Sequence, residues 1–265
     1  MPIMDARRPR DRFMLIGPER VFYAGLLGKP RKRLLGGLGI YASVDGELEV
    51  TIDGAAKRRT DIAIVPPYTR HSISSGHPLV ACLLIEPETV DRAALRALGA
   101  TADAPAGRGM AERIRAAYHD LLRAPWRDGF GTENFDRLFF DRALPRRRLD
   151  RRVAVTTARL QQCLDDAWGA SQYAAAADLS VSRFLHLFKD GTDVRFRALR
   201  AWKRARNLLH FVNRDVNLAH LALDIGYPDS THFSHSIRRF YGLRPREIFL
   251  GSHRLEIIRG EPLVH

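Results

Sequence analysis

The sequence predicts an α+β protein: a small antiparallel β-barrel, then a helical pair, then an all-α C-terminal domain with two helix-turn-helix units. Three observations predict this order. Short apolar segments separated by turn residues occur about every ten residues up to residue 85. From residue 110 onward, apolar residues recur at helical spacing instead. Between residues 171 and 249, a pattern of two helices joined by a tight turn occurs twice.

The charge of the chain is distributed unevenly. Its 43 Lys and Arg residues exceed its 30 Asp and Glu residues, for a formal net charge of +13. Up to Leu144 there are 22 basic and 18 acidic residues, and after it 21 basic and 12 acidic. An excess concentrated in the shorter C-terminal part suits a nucleic acid, although a membrane surface or an acidic protein would also satisfy it.

The two cysteines, Cys82 and Cys163, lie in apolar surroundings. They are too few for a disulfide framework or a cysteine-based zinc site, so we expect buried thiols in a reducing cytoplasm. The chain shows no signal-peptide core at its N-terminus and no run of apolar residues long enough to span a membrane. We therefore expect a soluble, cytoplasmic protein without a membrane partner.

Residues 1–90 are predicted to form the barrel. A charged arm ends near Arg12, and turn residues such as Asp53-Gly54 and Pro66-Pro67 separate the later apolar segments. The predicted strands are residues 21–26, 39–42, 48–52, 62–65, 71–74 and 79–85. Strands of this length and spacing are typical of a small antiparallel barrel or sandwich.

Four short runs in this region resemble those of a cupin barrel: Gly46-Glu47-Leu48, Ile52-Asp53-Gly54, Val65-Pro66-Pro67 and His71-Ser72-Ile73. Many cupins bind a metal through closely spaced histidines, but here His71 and His77 are six residues apart. We therefore expect a structural His71, no metal and no cofactor. The barrel interior is expected to hold a small-molecule effector, whose identity the sequence does not give.

Residues 91–144 are predicted to form two amphipathic helices joined by a glycine loop, after a Gly/Ala/Pro-rich separator at residues 99–107. Their apolar stripes are Met110, Ile114, Tyr118, Leu121 and Leu122, then Phe135, Leu138, Phe139 and Leu144. This pair could cover the barrel or present a ridge to a second copy of the chain. Residues 145–148, a proline followed by three arginines, are predicted to be an exposed linker.

The second helix-turn-helix unit is predicted at residues 217–249. Gly226 can adopt a positive φ and Pro228 disfavours helix before it, so the chain turns there. Asp229 is a candidate N-cap for the second helix, whose inward side carries Phe233, Ile237 and Phe240. The remaining face is polar and basic, which suits a DNA major groove.

A first unit is predicted at residues 171–189, with a turn at residues 178–180. Between the units, residues 194–212 are predicted to form one long helix that continues the basic pattern. At 1.5 Å per residue it would span about 28 Å, near the roughly 34 Å of one DNA turn. A further helix is predicted from Asp150 to Trp168.

Three runs of this region are the most specific of the chain: LSVSRFLHLF at 179–188, IGYPDSTHFS at 225–234 and FYGLRP at 240–245. Together they resemble the AraC/XylS family of transcriptional regulators. The resemblance implies a DNA-binding domain at residues 149–265 and an effector-binding and dimerisation domain at residues 20–144. It also implies double-stranded DNA as the partner and a homodimer, with RNA polymerase as a further candidate partner.

Carried onto this chain, the family's base-reading positions fall on the two recognition helices, and other basic residues are better placed for phosphates. The base-contact candidates are Ser182, Arg183, Leu185 and His186 in the first unit, and Ser230, Thr231, Ser234 and His235 in the second. The phosphate-contact candidates are Arg197, Arg200, Lys203 and Arg238. Serine and histidine can hydrogen-bond to base edges or phosphates, whereas Leu185 could contact only a thymine methyl. No catalytic residue is expected.

Two departures from the family pattern occur in the first unit. Asp178 replaces a usual glycine before the turn, and Asp193 replaces the usual glycine at the end of the recognition helix. Aspartate tolerates left-handed backbone at some cost, so this unit is expected to be looser than the second. Two other functions compete with an effector-controlled regulator: a cupin enzyme with a DNA-binding appendage, and a DNA binder that responds to no ligand.

Overall fold

The computed structural model describes residues 11–25, 31–77, 79–101, 105–124, 126, 129–162, 168–253 and 255–260. Its strands are β1 (Phe13–Ile16), β2 (Arg20–Gly25), β3 (Leu38–Ser43), β4 (Leu48–Ile52), β5 (Arg58–Thr60), β6 (Ile62–Val65), β7 (His71–Ser75), β8 (Val80–Ile85) and β9 (Glu256–Arg259). Its helices are α1 (Arg92–Ala100), α2 (Pro105–Arg123), α3 (Thr132–Phe140), α4 (Arg151–Gln162), α5 (Ala170–Ala176), α6 (Val181–Thr192), α7 (Phe196–Asn207), α8 (Leu218–Asp224), α9 (Ser230–Tyr241) and α10 (Pro245–Ser252). The predicted α+β class is confirmed.

The strands form two sheets that share a core. One has the order β6-β3-β8-β2-β1-β9 and the other the order β5-β4-β7. Because side chains alternate along a strand, the larger sheet buries both faces. Phe13, Leu15 and Phe22 pack with α2 and α3, whereas Met14 and Val21 belong to a core that continues into the C-terminal helices. The barrel and the helical domain therefore share apolar packing.

Six strands lie where the sequence predicts them, within two residues at each end. Strands β1 and β5 were not predicted, because β1 falls in the segment between the presumed arm and Arg20 and β5 is a charged three-residue strand. Helix α1 was not predicted either. Its N-cap is Asp91, whose side chain accepts hydrogen bonds from the backbone N–H groups of Ala93 and Ala94.

Helices α2 and α3 cover the barrel. The predicted stripe residues Ile114, Tyr118 and Leu121 are buried in the core beneath the large sheet. A buried ion pair, with Arg20 Nε 2.7 Å from Asp136 Oδ1, also ties α3 to β2. Because these apolar stripe residues are buried against the sheet, the packing favours a role for α2 and α3 in covering the barrel.

The predicted linker at residues 145–148 is exposed at Pro145, Arg146 and Arg148, as predicted, but its backbone and Arg147 are held by the N-terminal part of the chain. The backbone of Arg146 bridges Val90, Asp91 N–H donates to the Pro145 carbonyl at 2.8 Å, and the side chain of Arg147 is only 4% exposed. The arginine run is held because its backbone pairs with residues 89–91 and the Arg147 guanidinium reaches buried carbonyl groups. Arg147 alone among these four residues therefore departs from the predicted exposure.

The C-terminal end of the chain returns to the N-terminal sheet. Strand β9 pairs in parallel with β1, with Phe13 opposite Glu256 and Ile16 opposite Arg259. It was not predicted, and residues 256–259 therefore lie outside the helical domain in which the sequence boundary at 149–265 places them. The physical reason is that β1 otherwise presents unpaired backbone groups at the sheet edge.

The long connecting helix is shorter than predicted. This helix is α7, whose 12 residues span about 18 Å. A single 3-10 turn follows it at Leu208–His210. Before it, the Thr192 hydroxyl hydrogen-bonds to the backbone of Val194, which keeps that residue out of the helix. The prediction of a 28 Å rod over residues 194–212 is therefore wrong. Residues 163–167, including Cys163, lie outside the described part of the chain.

Candidate nucleic-acid interface

The second helix-turn-helix unit is built from local signals. Helix α8 is capped by Asn217, whose Oδ1 accepts from the backbone N–H of Ala219 at 2.9 Å. The turn after it passes through Gly226 at φ +84°, a conformation that glycine adopts without steric cost. Asp229 then caps α9 by accepting from the N–H groups of Thr231 and His232, both at 2.8 Å. The predicted turn at Gly226 and the predicted N-cap Asp229 are confirmed, and the Asn217 cap was not predicted.

Helix α9 separates an apolar face from a polar one. Phe233, Ile237 and Phe240 are buried, as predicted. Of the predicted DNA-contacting residues, Ser230, Thr231, His235 and Arg238 are exposed and Ser234 is half-buried. This helix therefore offers a continuous polar face with a basic C-terminal end.

His232 was not predicted as a site residue, and it lies at the start of the same face. Its ring Nδ1 is 2.8 Å from Asp229 Oδ2, and its side chain is 71% exposed. The backbone N–H of His232 and its ring together lower the pKa of the Asp229 carboxyl. The signal available in the sequence was a histidine three residues after an aspartate N-cap, which is the spacing for such a contact.

The first unit has the same architecture. The Ser180 hydroxyl caps α6 by accepting from the N–H of Arg183 at 3.3 Å. Asp178, which replaces a usual glycine, lies in the left-handed region at φ +53°. Ser182, Arg183 and His186 are exposed on α6, whereas Leu185 is half-buried and packs against the core.

An aromatic cluster fixes α5 and α6 to the connecting helix. The rings of Tyr173, Phe184 and Phe188 all pack against Phe196 at the start of α7, with ring centroids 5.3 to 5.4 Å apart. Aromatic pairs at such distances add to the stabilisation from burial. The first unit is therefore anchored to α7 despite its two left-handed aspartates.

The four phosphate-contact candidates differ in exposure. Arg197 and Arg238 are exposed and Arg200 is half-buried. Lys203 does not lie on the surface, as its predicted phosphate contact requires. It is 3% exposed, and its Nζ lies 2.6 Å from Glu86 Oε2 and 2.5 Å from Glu88 Oε1. An ammonium group paired in this way is not presented to a DNA phosphate. The helical pattern put Lys203 on the basic side of α7, but that side packs against the N-terminal domain.

Lys203 belongs to a buried cluster between the domains. Glu86 Oε1 lies 2.8 Å from Arg206 Nε, without hydrogen-bond geometry, and the Trp202 indole N–H donates to Glu86 Oε2 at 3.0 Å. Burial raises the pKa of Glu86, but the Lys203 and Arg206 charges outweigh it and the pKa lies below the ordinary value. For Glu88, burial dominates and the pKa is raised.

A cavity of about 260 Å³ lies between the barrel and the C-terminal helices. Its walls are mainly apolar: Met14, Val21 and Leu84 from the barrel, and Leu209, Val212 and Leu255 from the C-terminal part. Arg33 also lines it, 8% exposed. The Nε and Nη2 groups of Arg33 are buried without a hydrogen-bond partner among the described residues.

His71 lies behind Arg33 and is fully engaged. Its Nδ1 is 2.9 Å from the Thr69 carbonyl, which can only accept, so Nδ1 carries the proton. Its Nε2 therefore accepts from the Tyr41 hydroxyl at 2.8 Å. Burial lowers the pKa of His71 to about 4, so the ring is neutral at pH 7.

Among the described residues, no group of three or more His, Cys, Asp or Glu side chains is arranged to hold a metal. None of the described helices could span a membrane.

Comparison with known proteins agrees with this geometry. A family model described as a helix-turn-helix domain matches residues 173–250. No curated protein sequence matches the chain.

Solved structures of ToxT from Vibrio cholerae share the fold. One from strain O395 is 9% identical with a TM-score of 0.55, over 88% of this chain and 96% of that chain. Another, at 1.65 Å, is 11% identical with a TM-score of 0.53, over 88% and 98%. A third, bound to (E)-4-(8-methylnaphthalen-1-yl)but-3-enoic acid, is 10% identical with a TM-score of 0.52, over 88% and 98%. The likeness covers both the strand-rich and the helical regions.

Proposed function

We propose that the chain is a DNA-binding transcription regulator of the AraC type, and that α6 and α9 enter adjacent major-groove segments of one duplex. The observation that carries the proposal is the repetition of one geometry. Each helix follows a tight turn, begins at a side-chain N-cap and exposes a polar face. A capped helix with such a face is the element that helix-turn-helix proteins place in the major groove.

Within this proposal, the exposed residues have separable roles. Ser182, Arg183 and His186 contact bases from α6, with Leu185 near a thymine methyl group. Ser230, Thr231, Ser234 and His235 contact bases from α9. Arg197 and Arg238 bind phosphates, which position the protein without specifying sequence. Arg200 is half-buried and makes other contacts within the protein, so we assign it a smaller share of phosphate binding.

His235→Ala and Arg197→Ala should therefore have different effects on binding. A site selected from a random DNA pool by the wild-type chain provides the test duplex. His235→Ala should remove about 1–3 kcal/mol of discrimination at one base pair. Arg197→Ala should weaken binding to all sequences and make the slope of log K against log salt shallower by about one unit.

Arg108→Ala is the matched control for charge, because Arg108 is exposed on α2, in the helical pair that covers the barrel. It changes the net charge equally and should leave the salt slope intact. Fluorescence anisotropy over a salt series measures all three variants. Equal slopes for Arg197→Ala and Arg108→Ala would remove the phosphate role, and equal effects of His235→Ala on every sequence would remove the base-reading role.

We also propose that the effector is a small apolar carboxylic acid bound in the interdomain cavity. The walls are mainly apolar, with Glu247 as the one carboxylate among the described lining residues, and a buried guanidinium whose Nε and Nη2 groups have no hydrogen-bond partner in the described part of the chain is costly unless an anion joins it. A carboxylate suits that fork because it accepts two parallel hydrogen bonds. The ToxT structure with an arylbutenoic acid is consistent with this ligand class. The Nε and Nη2 groups of Arg33, buried without a hydrogen-bond partner among the described residues, favour an effector over a DNA binder that responds to no ligand.

Arg33→Met should lower the affinity for apolar carboxylic acids by about 10- to 100-fold, the loss of a hydrogen bond to a charged group. Arg123→Met is the control, since Arg123 is 78% exposed on α2 and does not line the cavity. Calorimetric titration with (E)-4-(8-methylnaphthalen-1-yl)but-3-enoic acid, aliphatic acids and their methyl esters gives the measurement. If the wild-type chain bound an acid and its ester equally well, the carboxylate proposal would be lost.

The remaining functional assignments follow from the same premise. We propose a regulatory role without catalysis, since both ring nitrogens of His71 are already used. A homodimer, contact with RNA polymerase and a cytoplasmic location stay predictions that the family resemblance implies. The domain limits 1–90, 91–144, 145–148 and 149–265 remain a proposal for the functional division, with the last strand contributed to the barrel.

A further inference from the structure

Asp193 ends the first recognition helix in a strained conformation. It is the C-cap residue of α6, with φ +62° in the left-handed region. Glycine is preferred at such a position because it has no Cβ to clash. An aspartate there costs stability unless its side chain makes a contact that glycine could not.

The carboxylate of Asp193 makes that contact with the N-terminal side of the molecule. Its Oδ2 accepts from Arg92 Nε at 2.9 Å and from Arg147 Nη2. Arg92 also donates to the Asp190 carbonyl. Arg147 Nη1 lies 3.2 Å from the Thr192 carbonyl and 3.3 Å from the Pro87 carbonyl. Two arginines thus bind the last turn of α6.

The backbones of both arginines are held by hydrogen-bonded structure, although the Arg92 side chain is 44% exposed. Arg92 is the first residue of α1, directly after the Asp91 N-cap. The side chain of Arg147 is 4% exposed, and its backbone N–H donates to the Thr89 carbonyl at 3.3 Å. The end of α6 is therefore bound to the N-terminal side of the molecule through one exposed and one buried arginine side chain.

The second recognition helix is held at the same end by the same domain. Leu34 N–H donates to the Phe240 carbonyl at 3.0 Å. A Cβ added at Gly242 would lie 2.9 Å from the Lys32 carbonyl oxygen, so the backbones touch. Arg31 and Glu247, on α10, form an ion pair at 2.9 Å. The N-terminal domain thus contacts the C-terminal ends of both α6 and α9.

We propose that Asp193 is a positioning residue for DNA binding. By fastening α6 to Arg92 and Arg147, it lets the N-terminal domain set the separation of the two recognition helices. The chain then distinguishes DNA sites by the spacing of their two segments as well as by sequence. This inference rests on the proposed binding of α6 and α9 to adjacent segments. Helix α7 is only 12 residues long, and without further contacts it alone would set the separation of α6 and α9. The N-terminal domain, which contacts the ends of both helices, is a second connection that controls this separation.

Asp193→Gly distinguishes the contact made by the Asp193 carboxylate from the role of residue 193 as the C-cap of α6. Glycine keeps or improves the left-handed turn and removes the carboxylate, so stability of the helical domain is retained. Asp193→Asn keeps the side-chain volume and removes the charge. Arg92→Ala removes one partner from the other side, and Asp193→Glu is the conservative variant that can restore the contact.

The experiment uses the full chain and the duplex it selects from a random pool. Affinity is measured for that duplex and for duplexes with one or two base pairs inserted between its two contacted segments. We expect the wild-type chain to prefer the selected spacing by at least about tenfold. Asp193→Gly, Asp193→Asn and Arg92→Ala should each reduce that preference to about threefold or less, and Asp193→Glu should recover part of it.

The possible results distinguish a failure of two-segment DNA binding from a failure of the positioning role of Asp193. No spacing preference in the wild-type chain would overturn the proposed two-segment binding, and this inference with it. A wild-type preference that survives in Asp193→Gly would overturn the role of Asp193 alone. Loss of the preference in Asp193→Gly but not in Arg92→Ala or Asp193→Asn would assign the effect to the turn and would also overturn it.

Discussion

Glu86→Gln is expected to lower the free energy of unfolding by about 3–5 kcal/mol at pH 7, the usual cost of removing one partner from a buried ion pair. Glu86 is fully buried and its carboxylate faces Lys203 at 2.6 Å and Arg206 at 2.8 Å. Glutamine keeps the shape but leaves both cations without their main counter-charge. Equilibrium unfolding in urea, followed by tryptophan fluorescence, measures the change.

Glu88→Gln is the matched control, because Glu88 is also buried and also touches Lys203, at 2.5 Å. Its raised pKa shows that the folded protein disfavours its charge. Neutralising it should therefore cost less than about 1.5 kcal/mol, the scale of one hydrogen bond. Equal costs for the two variants would contradict the assignment of Glu86 as the central anion of the cluster.

The pH dependence has opposite signs for the two carboxyl groups. The pKa of Glu86 is lowered, so the stability it contributes is present above the unfolded pKa and is lost as the pH falls through the folded value. The gap between wild type and Glu86→Gln should therefore close in acid. The pKa of Glu88 is raised, so its contribution is full below the unfolded pKa and is lost as the pH rises through the folded value.

Trp202→Ala is expected to destabilise the protein by about 3–5 kcal/mol, the range for removing a large aromatic side chain from a core. Trp202 is fully buried and its ring packs against Phe240 with centroids 5.3 Å apart. It also fills the space above Gly36, where an added Cβ would lie 2.2 Å from Trp202 Cγ. The side chain thus joins α7, α9 and the loop before β3.

Trp202→Phe is the control for the hydrogen bond, because phenylalanine keeps most of the apolar volume and loses the indole N–H. It should cost clearly less than Trp202→Ala, since the loss of a hydrogen bond to a carboxylate is worth about 1.5–3 kcal/mol. Calorimetry of both variants should show one cooperative transition, because the core is continuous between the domains. An unchanged melting temperature for Trp202→Ala would contradict this picture of the interface.

The helix-turn-helix units were predictable because their signals are local. A cap acts within three residues, a positive φ is required at one residue, and an apolar stripe repeats every 3.6 residues. Asp229, Gly226 and the stripe at Phe233, Ile237 and Phe240 therefore lie as predicted. Ser182 and His235 were placed on exposed faces by the same periodicity.

The interface between the domains was not predictable, because it depends on residues far apart in the sequence. Lys203 and Glu86 are 117 residues apart, and nothing near Lys203 distinguishes it from its exposed neighbour Arg197. The parallel pairing of β1 with β9 has the same character. Charge and short apolar runs indicate what a segment can bind, but not which distant partner it finds.

By itself, the sequence determined the two recognition helices and the strand-rich domain before them, because helical period, strand alternation, caps and turns arise from neighbouring residues. Only the tertiary structure decided which basic residues remain available to DNA, where the cavity lies and how the end of α6 is held. Those features depend on which surfaces become buried against each other. Burial turns Lys203 from a phosphate-binding candidate into an ion-pair partner and leaves the Arg33 guanidinium facing an apolar cavity.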